Sequence, residues 1–248
     1  MLWRTDVKLS GDNYKKIDAH AHIQKLGYPF NVEITVEEFL ALMEAYNIEK
    51  AIISDVDNER IAEITREYPD KFIGIAWINP RDKNIERHLR SEFRGIKLHP
   101  LLHMFSPGDP IVERVMRIAH DHELPVFIHS GHPPTSLPWQ IEDLARKFPE
   151  VPIVMIHMGH GNAFYIQGAI EIAERNENVY LETSGMPMPA KIRQAYERVP
   201  DKVMFGTDLP CHHPVVEIAK VITSGLDKEG IKKVFYENAK AFIKRWMR

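Results

Sequence analysis

Thirteen histidines are spread through 248 residues, and several stand where metal chemistry would need them. His20-Ala21-His22 puts two imidazoles on one side of an extended chain, because side chains in a strand alternate between faces. Lys97, His99, His129, His157 and Asp208 each come at or just after a short apolar run. Three imidazoles (His20, His22 and His129) with the Asp208 carboxylate form a donor set suited to Zn2+ or another divalent transition metal, and they leave a position for water. Water held at such a site has a pKa near ~7, so hydroxide is available at neutral pH. The His-x-His pair alone reads as two core histidines; it is the combination with His129, His157 and Asp208 that carries the metal reading. Asp208 is then both ligand and candidate general base, able to take a proton from water and pass it to a leaving group. The other use for an aspartate there is a helix cap ahead of Pro214. His157 is either a ligand of a second ion or a catalytic acid/base that polarises substrate, and the second role suits a one-metal site. His99, His132 and His160 are candidate substrate contacts, and His103, His212 and His213 fall in loops expected around the same pocket.

The elements that must position these residues alternate. Strand-like runs cover 16–19, 51–54, 72–78, 95–99, 126–129, 153–157, 179–183 and 203–208. Helical runs cover 39–46, opened by the capping box Thr35-Val36-Glu37-Glu38, then 58–68, 83–92, 111–123, 137–148, 164–176, 190–197 and 214–223, with 228–246 closing the chain. Eight strand–helix units in this length predict a single-domain α/β protein over 1–248, a (β/α)8 TIM barrel. Alternation puts Asp18, His20 and His22 on one face, Lys97 and His99 on one, Phe127 and His129 on one, Met155 and His157 on one, and Met204, Gly206 and Asp208 on one. The opposite face is apolar in each case and belongs against the helices. The polar residues then point into the barrel mouth at the C-terminal strand ends, where barrel enzymes keep their active sites. Burying that many polar groups together is costly unless they are paired or bind a cation. The loops 103–110 and 130–138 rim the mouth.

Composition excludes several classes. With 44% hydrophobic and 27% charged residues the chain can bury a full core. A net charge of -3 and a pI near 6.5 do not suit a nucleic-acid binder. No apolar run approaches the ~18 residues needed to span a bilayer. Residues 1–6 lack the basic start and apolar stretch of a secretory leader. The single cysteine, Cys211, cannot form an internal disulfide and is expected to be small buried filler, in keeping with a reducing, cytoplasmic compartment. The expected partner is a small-molecule substrate; the oligomeric state is open, a homo-oligomer included. Trp77 and Trp139 are expected in the core, and His88, His120 and His122 on the surface.

The segments Ile17-Asp18-Ala19-His20-Ala21-His22, Gly95-Ile96-Lys97-Leu98-His99-Pro100, Phe127-Ile128-His129-Ser130-Gly131, Ile156-His157-Met158-Gly159-His160, Leu181-Glu182-Thr183-Ser184, Phe205-Gly206-Thr207-Asp208-Leu209-Pro210 and Glu237-Asn238-Ala239 resemble the amidohydrolase superfamily, in particular its amidohydrolase-related (amidohydrolase type 2) branch. The resemblance runs from about Lys16 to Phe242. It implies a distorted (β/α)8 barrel with one or two divalent metals, usually hydrolysing amide or ester bonds. The branch also includes decarboxylases of unsaturated carboxylates, such as aminocarboxymuconate-semialdehyde decarboxylase. In two-metal members a strand-four lysine is carbamylated and bridges the ions; Lys97 has that use, or that of a plain ammonium paired with Asp18 or an anionic substrate. The deoxyribonucleases of the superfamily look for a glutamate at that strand, and this chain departs from them. Glu182 and Ser184 are candidates for orienting a ligand from behind. The expectation is a zinc hydrolase of a small amide, ester or lactone, with non-oxidative decarboxylation of an unsaturated or aromatic carboxylate as the alternative. An idle metal-binding scaffold is a third reading, against which the complete ligand set argues.

Overall fold

The computed structural model of the chain describes residues 3–27 and 29–247. Met1 and Leu2, which the expectation for residues 1–6 includes, lie outside them, as do Tyr28 and Arg248. In chain order the strands are β1 (Lys16–Ala21), β2 (Lys25–Leu26), β3 (Val32–Glu33), β4 (Ile48–Ile53), β5 (Phe72–Ile78), β6 (Phe93–Leu98), β7 (Val126–His129), β8 (Ile153–Ile156), β9 (Val179–Glu182) and β10 (Val203–Met204). Among the described residues β2 and β3 form a separate antiparallel pair, and the other eight form one sheet in the order β1-β4-β5-β6-β7-β8-β9-β10. Its ladders are parallel throughout. The first and last strands meet through backbone bonds: Ala19 N–H donates to Phe205 O at 2.8 Å, Asp208 N–H to His20 O at 2.8 Å, and His22 N–H to Leu209 O at 2.7 Å. The eight-stranded barrel expected from the strand–helix count is therefore what the chain forms.

Helices fill the gaps between strands: α1 (Val36–Ala45), α2 (Asn58–Glu67), α3 (Pro100–His103), α4 (Pro110–Asp121), α5 (Pro138–Lys147), α6 (Ala163–Arg175), α7 (Pro189–Arg198) and α8 (Pro214–Ile222), then α9 (Lys228–Lys232) and α10 (Asn238–Trp246). The capping box that opens α1 is present, Thr35 and Glu38 each accepting the other's backbone N–H. One expected helix does not form. Where 83–92 was read as helical there is a single 3-10 turn, Ile85–His88. The Asp82 carboxylate accepts the Asn84 N–H at 2.9 Å and pairs with Arg87 and His88, also at 2.9 Å, local bonds that compete with helix propagation.

Two apolar cores follow from strand alternation. Alternate strand residues such as Ile53, Ala76, Ile96, Val126, Met155 and Phe205 pack against the helices. Inside the barrel, Ile17, Ala19, Ile52, Ile75, Phe127, Val154, Ile156 and Met204 pack together with Phe242 and Met247, so α10 stops the end of the barrel opposite the mouth. Burial of a side chain such as Phe242 is worth about 1.5–3 kcal/mol. The Asn238 amide donates to Pro200 O and Val203 O at 2.8 and 2.9 Å, which fastens α10 to the start of β10. Among the described residues no helix is long and apolar enough to cross a membrane.

Candidate metal centre

The seam between β1 and β10 builds the heart of the site. The β1–β4 register shifts between Asp18 and Ala21, and Ala19 packs inside the barrel while Ala21 packs against the helices. Asp18 therefore does not share the mouth with His20 and His22, as strict alternation predicted. Its carboxylate is turned onto the next segment, where it accepts the Thr207 N–H at 2.9 Å, the Thr207 hydroxyl and the His20 N–H at 3.1 Å. Across the seam Asp208 leaves the strand at φ 56 and brings Oδ1 to 3.3 Å from His20 Nε2 and 3.4 Å from His22 Nε2. Asp208 is not the cap of α8; His213 is, accepting the Val215 N–H.

His157 reaches the mouth by a different route from the one alternation predicted. On β8 it is Val154 and Ile156 that face the barrel interior, while Ile153 and Met155 face the helices. Continued alternation would point residue 157 outward. The strand ends instead at Ile156, and His157 and Met158 take left-handed backbone angles, φ 64 and φ 37, which swing the imidazole inward. Its Nδ1 donates to Ser184 O at 2.9 Å, with Ser184 Oγ at 3.0 Å. Glu182 lies behind: it accepts the His157 N–H at 3.1 Å and the Ser184 hydroxyl at 2.8 Å. Glu182 and Ser184 thus hold His157 from behind.

Burial dominates the electrostatics. It lowers the pKa of His20, His129 and His157 well below the usual histidine range, with neighbouring cations adding to the effect. It pulls Lys97 down to about 7, against the attraction of Asp208. Burial pushes Asp208 upward, but pairing with His20 and His22, when those rings carry a proton toward it, outweighs burial and holds the carboxyl well below the usual carboxylate range. Burial raises Glu182 to about 8 and Asp18 to about 7. Lys97 sits 3.4 Å from His20 Nε2 and over the Trp77 ring, while Asp18 is engaged with Thr207.

These donors suit a divalent ion. His22 Nδ1 donates to Ser54 O at 2.8 Å, which in the neutral ring leaves Nε2 as a lone pair aimed at an Asp208 oxygen 3.4 Å away. Two acceptors facing each other call for a cation between them. The ligand atoms of His20, His157 and Asp208 all lie within 4.8 Å of one another. His129 belongs to a second group, with His132 and His160, although its ring also meets His157 edge-on at 4.7 Å. His99 stacks between Trp77 at 5.5 Å and His129 at 4.0 Å and caps α3. His103 lies beside Trp77, His212 pairs with Glu217 at 2.8 Å, and His213 stacks on Trp3. His88 pairs with Asp82, and His120 and His122 are exposed, as expected. Two expectations fail: Trp139 is exposed rather than in the core, and Cys211 is exposed rather than buried filler. Trp139, in the first turn of α5, lays its ring against Gly168 and Tyr165 of α6 with the other side open, and Cys211 sits in the loop after Asp208. Trp77 is buried, but at the mouth, and its Nε1 has no hydrogen-bond partner. Sequence reading gave no role to Ser54 or Thr207; only their places at strand ends beside the histidines could have marked them.

Fold and site together define a TIM barrel with a histidine–carboxylate centre at the C-terminal ends of its strands. The family model for amidohydrolases matches residues 17–245, and the chain belongs to that family. Among solved structures it is similar to an uncharacterized TIM-barrel protein from Bordetella bronchiseptica, with TM-score 0.74 and 21% identity over 86% of this chain and 84% of that one. It is also similar to 2,6-dihydroxybenzoate decarboxylase from Rhizobium, with TM-score 0.71 and 16% identity over 94% and 99%. A third is 5-carboxyvanillate decarboxylase from Novosphingobium aromaticivorans, complexed with manganese and 4-hydroxy-3-methoxy-5-nitrobenzoic acid, with TM-score 0.72 and 18% identity over 97% and 99%. No curated protein matches the chain.

Proposed function

We propose that the protein is a metal-dependent, non-oxidative decarboxylase of a small aromatic or unsaturated carboxylate. The divalent ion would be held by His20, His22, His129 and Asp208. The observation that carries the reading is His157: a buried imidazole clamped through Nδ1 and aimed at the same few ångströms as His20 and Asp208. The likeness to decarboxylases, one of them complexed with manganese, supports this reaction over the hydrolysis expected from the family resemblance. It also favours manganese beside zinc as the ion.

When bound, the ion supplies a Lewis acid that draws in and polarises the substrate's oxygens. The protein's residues do the rest. Decarboxylation exchanges a C–C bond for a C–H bond: a proton goes onto the carbon that loses CO2, and no water is consumed. Lys97, with its pKa near 7, attracts the anionic substrate. Trp77 Nε1, a buried donor lacking a protein acceptor, suits a substrate oxygen. His157 presents a bare Nε2 that takes a proton from a substrate hydroxyl and hands it to the carbon, while Ser184 and Glu182 stabilise the ring through Nδ1. The hydroxyl oxygen recovers its proton from solvent.

The test is an assay of metal-loaded protein against hydroxybenzoates and unsaturated carboxylates, with esters, lactones and amides in parallel. CO2 release with solvent deuterium appearing on carbon is expected. Turnover of the second panel with oxygen from labelled water and no CO2 would overturn the reading. Hydrolysis is the second reading, favoured by one observation: Asp208 is held ionised beside both His20 and His22, placed to take a proton from water.

A further inference from the structure

A second group of imidazoles converges at the rim of the mouth. His132 Nδ1 lies 2.8 Å from His129 Nε2 and 3.3 Å from His160 Nε2, and all three nitrogens fall within 4.8 Å of one another. Nitrogens on a tetrahedral ion with metal–nitrogen bonds of ~2.0–2.1 Å stand about 3.3–3.4 Å apart. Two of the separations, 2.8 and 3.3 Å, stand near that spacing and the third is within 4.8 Å; an ion would take the place of the proton that His129 and His132 share.

The group is also held from behind. His160 Nδ1 lies against Gly185, which leaves Nε2 as the nitrogen facing His132. The His132 loop is tied on itself: Gly131 N–H donates to Ser136 O at 2.7 Å, Ser136 N–H to His132 O at 2.9 Å, and His132 N–H to Ser136 Oγ at 3.1 Å. The two loops that carry His132 and His160 touch through backbone. A Cβ on Gly161 would stand 2.1 Å from Gly131 O, and one on Gly131 would stand 2.7 Å from His160 N. Only glycine permits that approach, and it fixes the spacing of the two rings.

We propose that His129, His132 and His160 form a second position for a zinc-like divalent ion at the rim, separate from His20, His22 and Asp208. A fourth position is left for water or a substrate oxygen. The proposed inner set and the rim set share one nitrogen, His129 Nε2, which serves one ion at a time. Excess zinc therefore fills the rim position, withdraws His129 from the inner ion and inhibits turnover. The rim site itself does not depend on the decarboxylase reading; only its inhibitory effect does.

The experiment measures Zn2+ and Co2+ binding by equilibrium dialysis and cobalt absorption on the wild type, on His20→Ala/His22→Ala, and on His132→Ala/His160→Ala, with circular dichroism to confirm folding. His132→Gln, at a half-exposed residue, is the milder variant. Two binding events are expected in the wild type. His20→Ala/His22→Ala retains the rim ion. In the rim variants the weaker event is lost or weakened more than the ~10–100-fold typical of disturbing a ligand's outer partner. Rim variants that bind both ions as the wild type does overturn the proposal, as do variants that change only KM with binding intact, since His132 and His160 are then substrate contacts. Should His20→Ala/His22→Ala keep both ions while the rim variants lose one, the rim site stands and the inner ligand assignment falls.

Discussion

Replacing His157 by asparagine tests the proposed chemistry most directly. The residue has φ 64, a region where asparagine is among the few side chains tolerated, so the turn that ends β8 should survive. What disappears is Nε2, while a short amide remains to face Ser184. A positioned acid/base is typically worth ~10²–10⁴ in rate, which is about 3–5 kcal/mol in the barrier. His157 is not among the proposed ligands, so the inner ion should stay. We expect His157→Asn to keep its metal content and circular dichroism and to lose at least ~10² in kcat for CO2 release, within that range. Asp208→Asn, measured alongside with its metal content, should lose less per bound ion. Near wild-type turnover in metal-loaded His157→Asn refutes the role, and a larger loss in metal-loaded Asp208→Asn points to hydrolysis-type use of Asp208.

Other outcomes follow from the same geometry. Lys97→Ala should keep the inner ion and raise KM for an anionic substrate; because Lys97 loses its charge above about pH 7, wild-type kcat/KM should fall above that pH and the variant's should not. Metal loss in Lys97→Ala together with stimulation by bicarbonate would instead mean a carbamylated lysine. Glu182 has a folded pKa of about 8 against an ordinary 4.5, so its contribution to metal-free stability is full at low pH and is lost as pH rises through 8. Thermal melts of Glu182→Gln should therefore decline less between pH 5 and pH 8 than those of wild type, and parallel curves would contradict the assignment. In Gly206→Ala the new Cβ would stand 2.3 Å from Glu182 Oε1, an overpacking that costs about 1–3 kcal/mol, read as a Tm lowered by several degrees. The same change in a Glu182→Ala background should cost clearly less.

Much of this was legible in the residues. The strand–helix alternation gave the barrel, and the histidine ending β7 gave the mouth, because that strand keeps a period of two, whereas His20 and His22 face the mouth only after the register shift in β1. Asp18 and His157 depart from regular alternation for one physical reason. Asp18 was assigned to the mouth by alternation, but a register shift before Ala21 resets the faces of β1. His157 was assigned correctly to the mouth for the wrong reason, since β8 has the opposite parity and a left-handed turn reverses it. Bulges and positive φ at non-glycine residues depend on what surrounds them, and nothing local in Met155-Ile156-His157 announces them. The turn at Ile85–His88 has a different cause: Asp82 takes up three partners within six residues, Asn84, Arg87 and His88, and these local bonds compete with helix propagation.

The seam between β1 and β10 has a consequence for how the protein comes into being. His20 and His22 leave the ribosome well before Asp208, which follows nearly two hundred residues later. Until then the two imidazoles have no carboxylate to face, and Ala19 has no Phe205 carbonyl to receive its N–H. The closing helix that stops the far end comes later still. A product that stops before β10 therefore carries half of the proposed metal site on an open sheet edge, while one that includes Asp208 acquires the site in the same event that seals the barrel. Capture of an ion by the proposed set that includes His20, His22 and Asp208 would thus report that the first and last strands of the barrel have found each other.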